Sequence, residues 1–381
     1  LPYVNLKIKY IEGALRMNNK TFIYPYSNSF SAYLNHIRSC QALSVLAAVI
    51  PGRWGEGIGD AGYINDGEKI GIPVSCDVSR WLKECDTIIW ANYEFYENDS
   101  FRQKVVDFMR KAVLNGKNII CFERLSIEEM QDFQLCAKRS GATFAHETDK
   151  NYIEDDKALE EINIPILTVL GMAENCSKFE TELGIYRALT NRGYKVSLVA
   201  SKNNAELLGV KSFPSFMFSS NYGEIEKIKS FSSFIHQVIH EDNPDVIVLG
   251  VPGGLIPFNN LHNMHYGITA YEILSIIKPD YNIVNVWTDY LVDGVINDLL
   301  SICKYRHGIA LNAVGVSNIS IYNDHSTIGR KNLEYNVYDS KTVDKAITRE
   351  MPNYIGLKMI NVLKRSSFEE LADDIIYTLS E

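Results

Sequence analysis

Apolar and polar residues follow two rhythms along the chain. Short, nearly continuous apolar or β-rich runs at residues 21–26, 43–50, 86–91 and 117–122 read as strands. Between them lie segments of helical character at 30–40, 79–84, 101–114 and 127–140. In the third of these Phe101, Val105, Phe108, Met109, Ala112 and Val113 recur at helical spacing, and Gly116 supplies the stop. After residue 163 the same alternation resumes, with strands expected at 165–170, 196–200, 245–249 and 282–287. One or two more strands are expected within 308–320. The intervening helices fall at 179–189, 225–239 and 268–277, the first with Phe179, Leu183, Tyr186 and Leu189 on one face. A last helix is expected from about Phe368, opened by a Ser367–Glu370 capping box.

Strands and helices alternating at this length imply parallel sheets with helices on both faces. The fold class is therefore α/β, with two doubly wound parallel-sheet domains. The first (17–145) reads as Rossmann-like and the second (164–381) as P-loop-NTPase-like. Residues 146–163, dense in Asp, Glu and Lys, read as a charged linker. Residues 1–16 are unlike the rest of the chain and read as a leader or arm, with Met17 as the natural start.

Composition narrows the function classes. Among 381 residues, 38 Lys and Arg face 47 Asp and Glu, a net charge of −9, so neither nucleic acid nor an anionic membrane is an expected partner. No apolar run approaches the length of a membrane span. The seven cysteines are scattered and never spaced C-x-x-C, which reads as reduced thiols in a cytoplasmic protein.

The stretch from Ile164 to Thr181 carries the most chemistry. An apolar strand runs into Gly171, a short loop comes next, and Lys178 opens an amphipathic helix. Phosphate loops share this layout because backbone amides and a helix N-terminus converge on phosphate oxygens while a lysine reaches the outer ones. The candidate binding residues are Gly171, Cys176, Ser177, Lys178, Phe179 and Thr181. Ser177 stands where glycine is usual, and Phe179 replaces the hydroxyl residue that ordinarily holds magnesium. Thr181 or Glu180 would have to substitute. Both nucleotide or phosphate binding and an ordinary βα turn fit this stretch. Cys176, two residues before Lys178 at a helix start, is either a reactive thiolate or a small loop residue.

A second phosphate-site element would be a strand ending in an acid. The strand at 245–249 has its acid, Asp245, at the wrong end and exits through Gly250-Val-Pro-Gly-Gly254. Asp289, after the strand at 282–287, is better placed, as a metal or ribose contact or as a helix N-cap. Gly57-Ile-Gly59-Asp-Ala-Gly62 matches G-x-G-x-x-G but lacks the flanking strand and helix, and reads as a flexible surface loop. The pairs His236/His240 and His262/His265 have ligand-like spacing; the first reads as a solvated helix face, and the second could line a cleft beside the loop.

With these segments placed, the chain resembles the peptide maturation system protein family, encoded beside Cys-rich ribosomal peptide precursors and radical-SAM peptide maturases. The resemblance spans about 17–381. It rests on Phe22-Ile-Tyr-Pro-Tyr-Ser27, Ile166-Leu-Thr-Val-Leu-Gly171, Ser177-Lys178-Phe179, Arg192-Gly193-Tyr194, Ala205-Glu206-Leu-Leu-Gly209, Phe213-Pro214 and Asp245-Val-Ile-Val-Leu-Gly250. It implies a phosphate-cradling role for Lys178, and a precursor peptide or a radical-SAM maturase as partner. ATP or another nucleotide is the implied cofactor, with magnesium if the protein is catalytic. The leading expectation is an accessory protein in the maturation of a ribosomally synthesised peptide. The alternatives are an ATP-dependent ligase or kinase-like enzyme activating a peptide carboxylate, and a non-catalytic peptide- or maturase-binding scaffold. A homo-oligomer is compatible with all three.

Overall fold

The computed structural model describes residues 19–27, 30–37, 43–52, 59–62, 69–91, 99–146, 161–202, 205–259, 263–321 and 335–380. The chain divides into two compact units, one of residues 1–148 and 204–209 and one of 149–203 and 210–381. The expected arm, most of the charged linker, Gly57, Cys40 and His262 lie outside the described residues.

The first unit is built on a six-stranded sheet of order β3-β2-β1-β4-β5-β6, every pairing parallel. Its strands are β1 (Asn19–Tyr24), β2 (Leu43–Val49), β3 (Val74–Ser75), β4 (Thr87–Trp90), β5 (Asn118–Cys121) and β6 (Phe144–His146). This is the doubly wound Rossmann order, with the chain reversing direction between β1 and β4. The helices are α1 (Ser31–Ile37), α2 (Val78–Glu84), α3 (Asp99–Leu114) and α4 (Ile127–Ser140). Helix α4 shows how locally its ends are encoded. Ser126 and Glu129 form a reciprocal capping box, and Gly141 closes the helix in the left-handed region at φ 72°. His146, expected in the linker, is the last residue of β6.

The G-x-G-x-x-G stretch is not a loose surface loop where it is described. Asp60 is buried and accepts the amides of Gly62, Ile70 and Gly71, so one carboxylate joins residue 62 to residues 70 and 71. Those three amides hold Asp60 ionised below the usual carboxylate range against the opposing effect of burial.

The second unit contains a seven-stranded parallel sheet of order β15-β12-β11-β7-β10-β8-β9. Its strands are β7 (Ile166–Gly171), β8 (Val196–Ala200), β9 (Lys211–Ser212), β10 (Val246–Gly250), β11 (Tyr281–Trp287), β12 (Ala313–Ser317) and β15 (Lys358–Asn361). Strands β7, β10, β11 and β12 are buried at every position, as expected of a parallel sheet covered on both faces. A small antiparallel pair, β13 (Ile319–Ile321) and β14 (Tyr335–Val337), stands apart from it. The helices are α5 (Lys178–Asn191), α6 (Glu224–Asp242), α7 (Ile268–Leu274), α8 (Asp293–Ser301), α9 (Ser340–Glu350) and α10 (Arg365–Ser380).

Two expected helix starts are corrected. Helix α10 begins at Arg365, so Ser367 lies inside its first turn and does not cap it. Asn361 sets the earlier start, since its side chain and carbonyl accept the amides of Leu363 and Lys364 and turn the chain at once. Helix α8 is capped at Val292, not Asp289.

Helices α5 and α10 pack closely. A Cβ on Gly184 would sit 2.6 Å from ring carbons of Phe368. Arg192, just past α5, donates to the carboxylates of Glu369 (2.5 Å) and Asp373 (2.7 Å) and to the Glu369 carbonyl.

Candidate phosphate-binding site

Strand β7 is the middle strand of its sheet. From it the chain first builds β8 on one side and later crosses to β11 on the other. That reversal makes the carboxyl end of β7 a topological switch point, where open α/β sheets bind ligands. The segment from Gly171 to Lys178 occupies this place, and α5 starts at its end.

The loop's conformation is set by where its carbonyls go. Trp287 Nε1 donates to Asn175 O at 3.1 Å. Asn285, buried in the middle of β11, donates from Nδ2 to Cys176 O and Ser177 O, each at 2.9 Å, and to Thr181 Oγ1 at 2.8 Å. Lys178 Nζ and the Cys176 thiol both donate to Ala173 O. With the carbonyls drawn inward, the amides of Glu174, Asn175, Ser177 and Lys178 find no acceptor among the described residues. A helix that starts this way presents unsatisfied N–H groups and the positive end of its dipole together.

Three residues take on backbone demands, among them Asn175, left-handed at φ 52°. Gly171 is hemmed in: a Cβ there would lie 2.5 Å from Cys176 Sγ, 2.7 Å from Ala173 O and 3.0 Å from Lys178 Nζ. Ser177 adopts φ 57°, ψ 34°, the left-handed region that glycine enters without cost. It is held there by a 2.7 Å hydrogen bond between its hydroxyl and that of Ser317 at the end of β12.

Lys178 is buried, with Nζ donating to Gly253 O at 2.6 Å as well as to Ala173 O at 3.2 Å. The Gly250–Gly254 exit of β10 is therefore part of the site. Further along it, Leu255 N and Ile256 N donate to Gly171 O and Met172 O. Gly171, Ser177, Lys178 and Gly253 thus come together.

The other expected residues behave differently. Cys176 is buried and burial pushes its thiol up despite Lys178 nearby, so it is a packed loop residue and not a reactive thiolate. Phe179 is buried in the core. Thr181 is fully buried and bonded to Ser177 O and Asn285, which turns its hydroxyl into the protein. Asp289 sits in the short turn after β11, exposed, and accepts a 2.9 Å hydrogen bond from Tyr338. On α6, His236 is half-buried and His240 exposed; His265 is exposed in a left-handed turn, and no metal-ligand cluster occurs among the described residues.

Two site residues escape a reading of the sequence. Asn285, which ties the loop down, lies in a buried strand whose other polar residue is Asn282; its signal is that an amide in a strand buried on both faces must find partners. Glu182 lies one turn beyond Lys178 on the same side of α5 and is completely buried. Its Oε2 accepts from Ser201 N at 3.0 Å, whereas Oε1 has no partner among the described residues. Burial raises this carboxyl to about 7. The signal is phase: Glu182 falls within the buried arc defined by Phe179, Leu183 and Leu189.

No protein-family model matches the chain, and no curated protein sequence does. Among solved structures, a DUF1611 family protein from Anabaena variabilis superposes over 94% of this chain and 100% of its own, with TM-score 0.59 at 12% identity. At that identity the likeness is one of fold. Cobyrinic acid a,c-diamide synthase from Mycobacterium smegmatis, solved with ADP and magnesium, matches 57% of this chain and 96% of its own at TM-score 0.36 and 12% identity. A GTPase from Pyrococcus abyssi matches 56% and 96% at TM-score 0.30 and 13% identity. No described helix is long and apolar enough to cross a membrane.

Proposed function

We propose that the second unit binds the phosphates of a nucleotide in the loop from Gly171 to Lys178. The observation that supports this best is the division of labour in the loop. Its carbonyls are engaged inward, while the amides of Glu174, Asn175, Ser177 and Lys178 find no acceptor among the described residues, at the start of a 14-residue helix beside a buried lysine. Such amides favour an anion, and the lysine can exchange two neutral carbonyls for phosphate oxygens. Phe179, standing where a metal-binding hydroxyl is usual, favours binding over rapid turnover. The peptide-maturation role enters through the resemblance of the segments around Phe22, Gly171, Arg192 and Gly250. In that setting the protein is a nucleotide-dependent accessory that engages a precursor peptide or its maturase.

Calorimetric titration of ADP, ATP and GTP into the wild type and Lys178→Ala tests the site. Micromolar binding that weakens at least about tenfold in the variant is expected, the loss of one charge-assisted contact being about 1.5–3 kcal/mol. Absence of binding at millimolar nucleotide would overturn the reading. Titration of a neighbouring Cys-rich precursor peptide, with and without nucleotide, tests the pathway.

A further inference from the structure

A phosphate loop that handles a magnesium nucleotide needs a carboxylate near the outer phosphates, and magnesium is commonly held by one or two carboxylates together with the phosphates themselves. Three of the places considered supply none here, and Glu180, the other acid considered, is half-buried in the first turn of α5. Strand β10 ends in Gly250 rather than an acid, Thr181 is turned inward, and Asp289 is bonded to Tyr338 beyond β11.

The space that a side chain on Gly250 would occupy is already filled. A Cβ built there would land on the carboxylate of Glu182, touching both of its oxygens and its carboxyl carbon. Helix α5 therefore delivers to the end of β10 the group that β10 itself lacks, and Gly250 is the complement that makes room for it. One oxygen is anchored by the Ser201 amide at the end of β8. The Ser201 side chain also interacts with the carboxylate, and the other oxygen is fully buried with no hydrogen-bond partner among the described residues, an expensive arrangement for a group kept only for packing. Lys178 stands one helical turn away and acts electrostatically on the same carboxyl. The loop after Gly250 is held by Lys178 through the Gly253 carbonyl. A phosphate that took over Lys178 would release this loop from directly beside Glu182.

We propose that Glu182 is the carboxylate that holds a divalent cation next to the bound phosphates, in place of an acid at the end of β10. The inference rests on the phosphate site proposed for the Gly171–Lys178 loop, and it assigns one metal ligand to this chain.

The probes are ADP with magnesium, read by calorimetry, and manganese with ADP, read by electron paramagnetic resonance. In the wild type, millimolar magnesium is expected to tighten ADP binding, and ADP to recruit one manganese ion. Glu182→Gln keeps the shape of the protonated acid and so should fold. It is expected to leave metal-free ADP affinity within about twofold and to weaken manganese binding by roughly tenfold or more. The decisive variant moves the carboxylate: Glu182→Ala combined with Gly250→Asp should recover manganese binding, which a packing role for Glu182 would not allow. ADP binding with unchanged manganese affinity in Glu182→Gln overturns this assignment and leaves the phosphate site standing. Failure of wild-type protein to bind ADP at all overturns both.

Discussion

Ser177 permits a sharp test of the loop geometry, because two small substitutions there should rank against the usual order. A non-glycine residue in the left-handed region carries about 1–2 kcal/mol of strain. The buried hydrogen bond between the Ser177 and Ser317 hydroxyls returns about 1 kcal/mol. Ser317 Oγ also accepts the Ile319 amide at 3.0 Å, so removing the Ser177 hydroxyl does not strand it. Ser177→Ala keeps the strain and loses the bond, for a cost of about 1 kcal/mol. Ser177→Gly loses the same bond but sheds the strain, against which glycine's extra chain entropy weighs about 0.5–1 kcal/mol. Glycine should therefore leave stability close to wild type and exceed alanine by about 1 kcal/mol, whereas alanine is the stabler of the two inside an ordinary helix. Calorimetric unfolding of the three full-length proteins measures the ranking directly. An alanine variant as stable as the glycine variant would refute the left-handed assignment at Ser177.

Other predictions concern the second unit. His307 is buried with neither ring nitrogen bonded among the described residues, and burial lowers its pKa from 6.5 to about 4. Between those values the unfolded chain binds more protons than the folded one, so stability should fall as pH drops from about 6.5 towards 4. At about 1.4 kcal/mol per pKa unit the loss is on the order of 3 kcal/mol. Denaturant midpoints at pH 7 and 4.5 should show a smaller difference in His307→Leu than in wild type; equal differences would exclude His307 as the source. Gly184→Ala, a change worth about 1 kcal/mol in favour of a free helix, should destabilise by about 1–3 kcal/mol because its methyl meets Phe368. Recovery of the melting temperature in Gly184→Ala/Phe368→Leu would confirm the clash, and a stabilised single variant would refute it. Addition of ADP should change the emission of Trp287, whose indole holds the Asn175 carbonyl, and Lys178→Ala should abolish that response.

The parallel sheets were legible in the sequence because strands covered on both faces appear as unbroken apolar runs, as at 165–170 and 245–249. Gly116 and Gly193 likewise marked helix ends. What escaped reading depends on partners distant along the chain. Asp289 looks like a helix cap until the chain is seen to continue to Val292, and Ser367–Glu370 like a capping box until Asn361 turns the chain earlier. Thr181 stands at a plausible spacing for a metal hydroxyl, yet Asn285, 104 residues later, claims it. Glu182 reads as one more helix charge because nothing near it in sequence discloses that Gly250 has left a place for its carboxylate.

Helix α5 spans about 20 Å from the Gly171–Lys178 loop to Arg192. Its far end is fastened to α10 by the guanidinium between Glu369 and Asp373, and its middle is seated on Phe368 with no Cβ to loosen the fit. Two separate fixings, one at the middle and one at the far end, thus set the line along which α5 runs, and with it the direction from which Lys178 enters the loop.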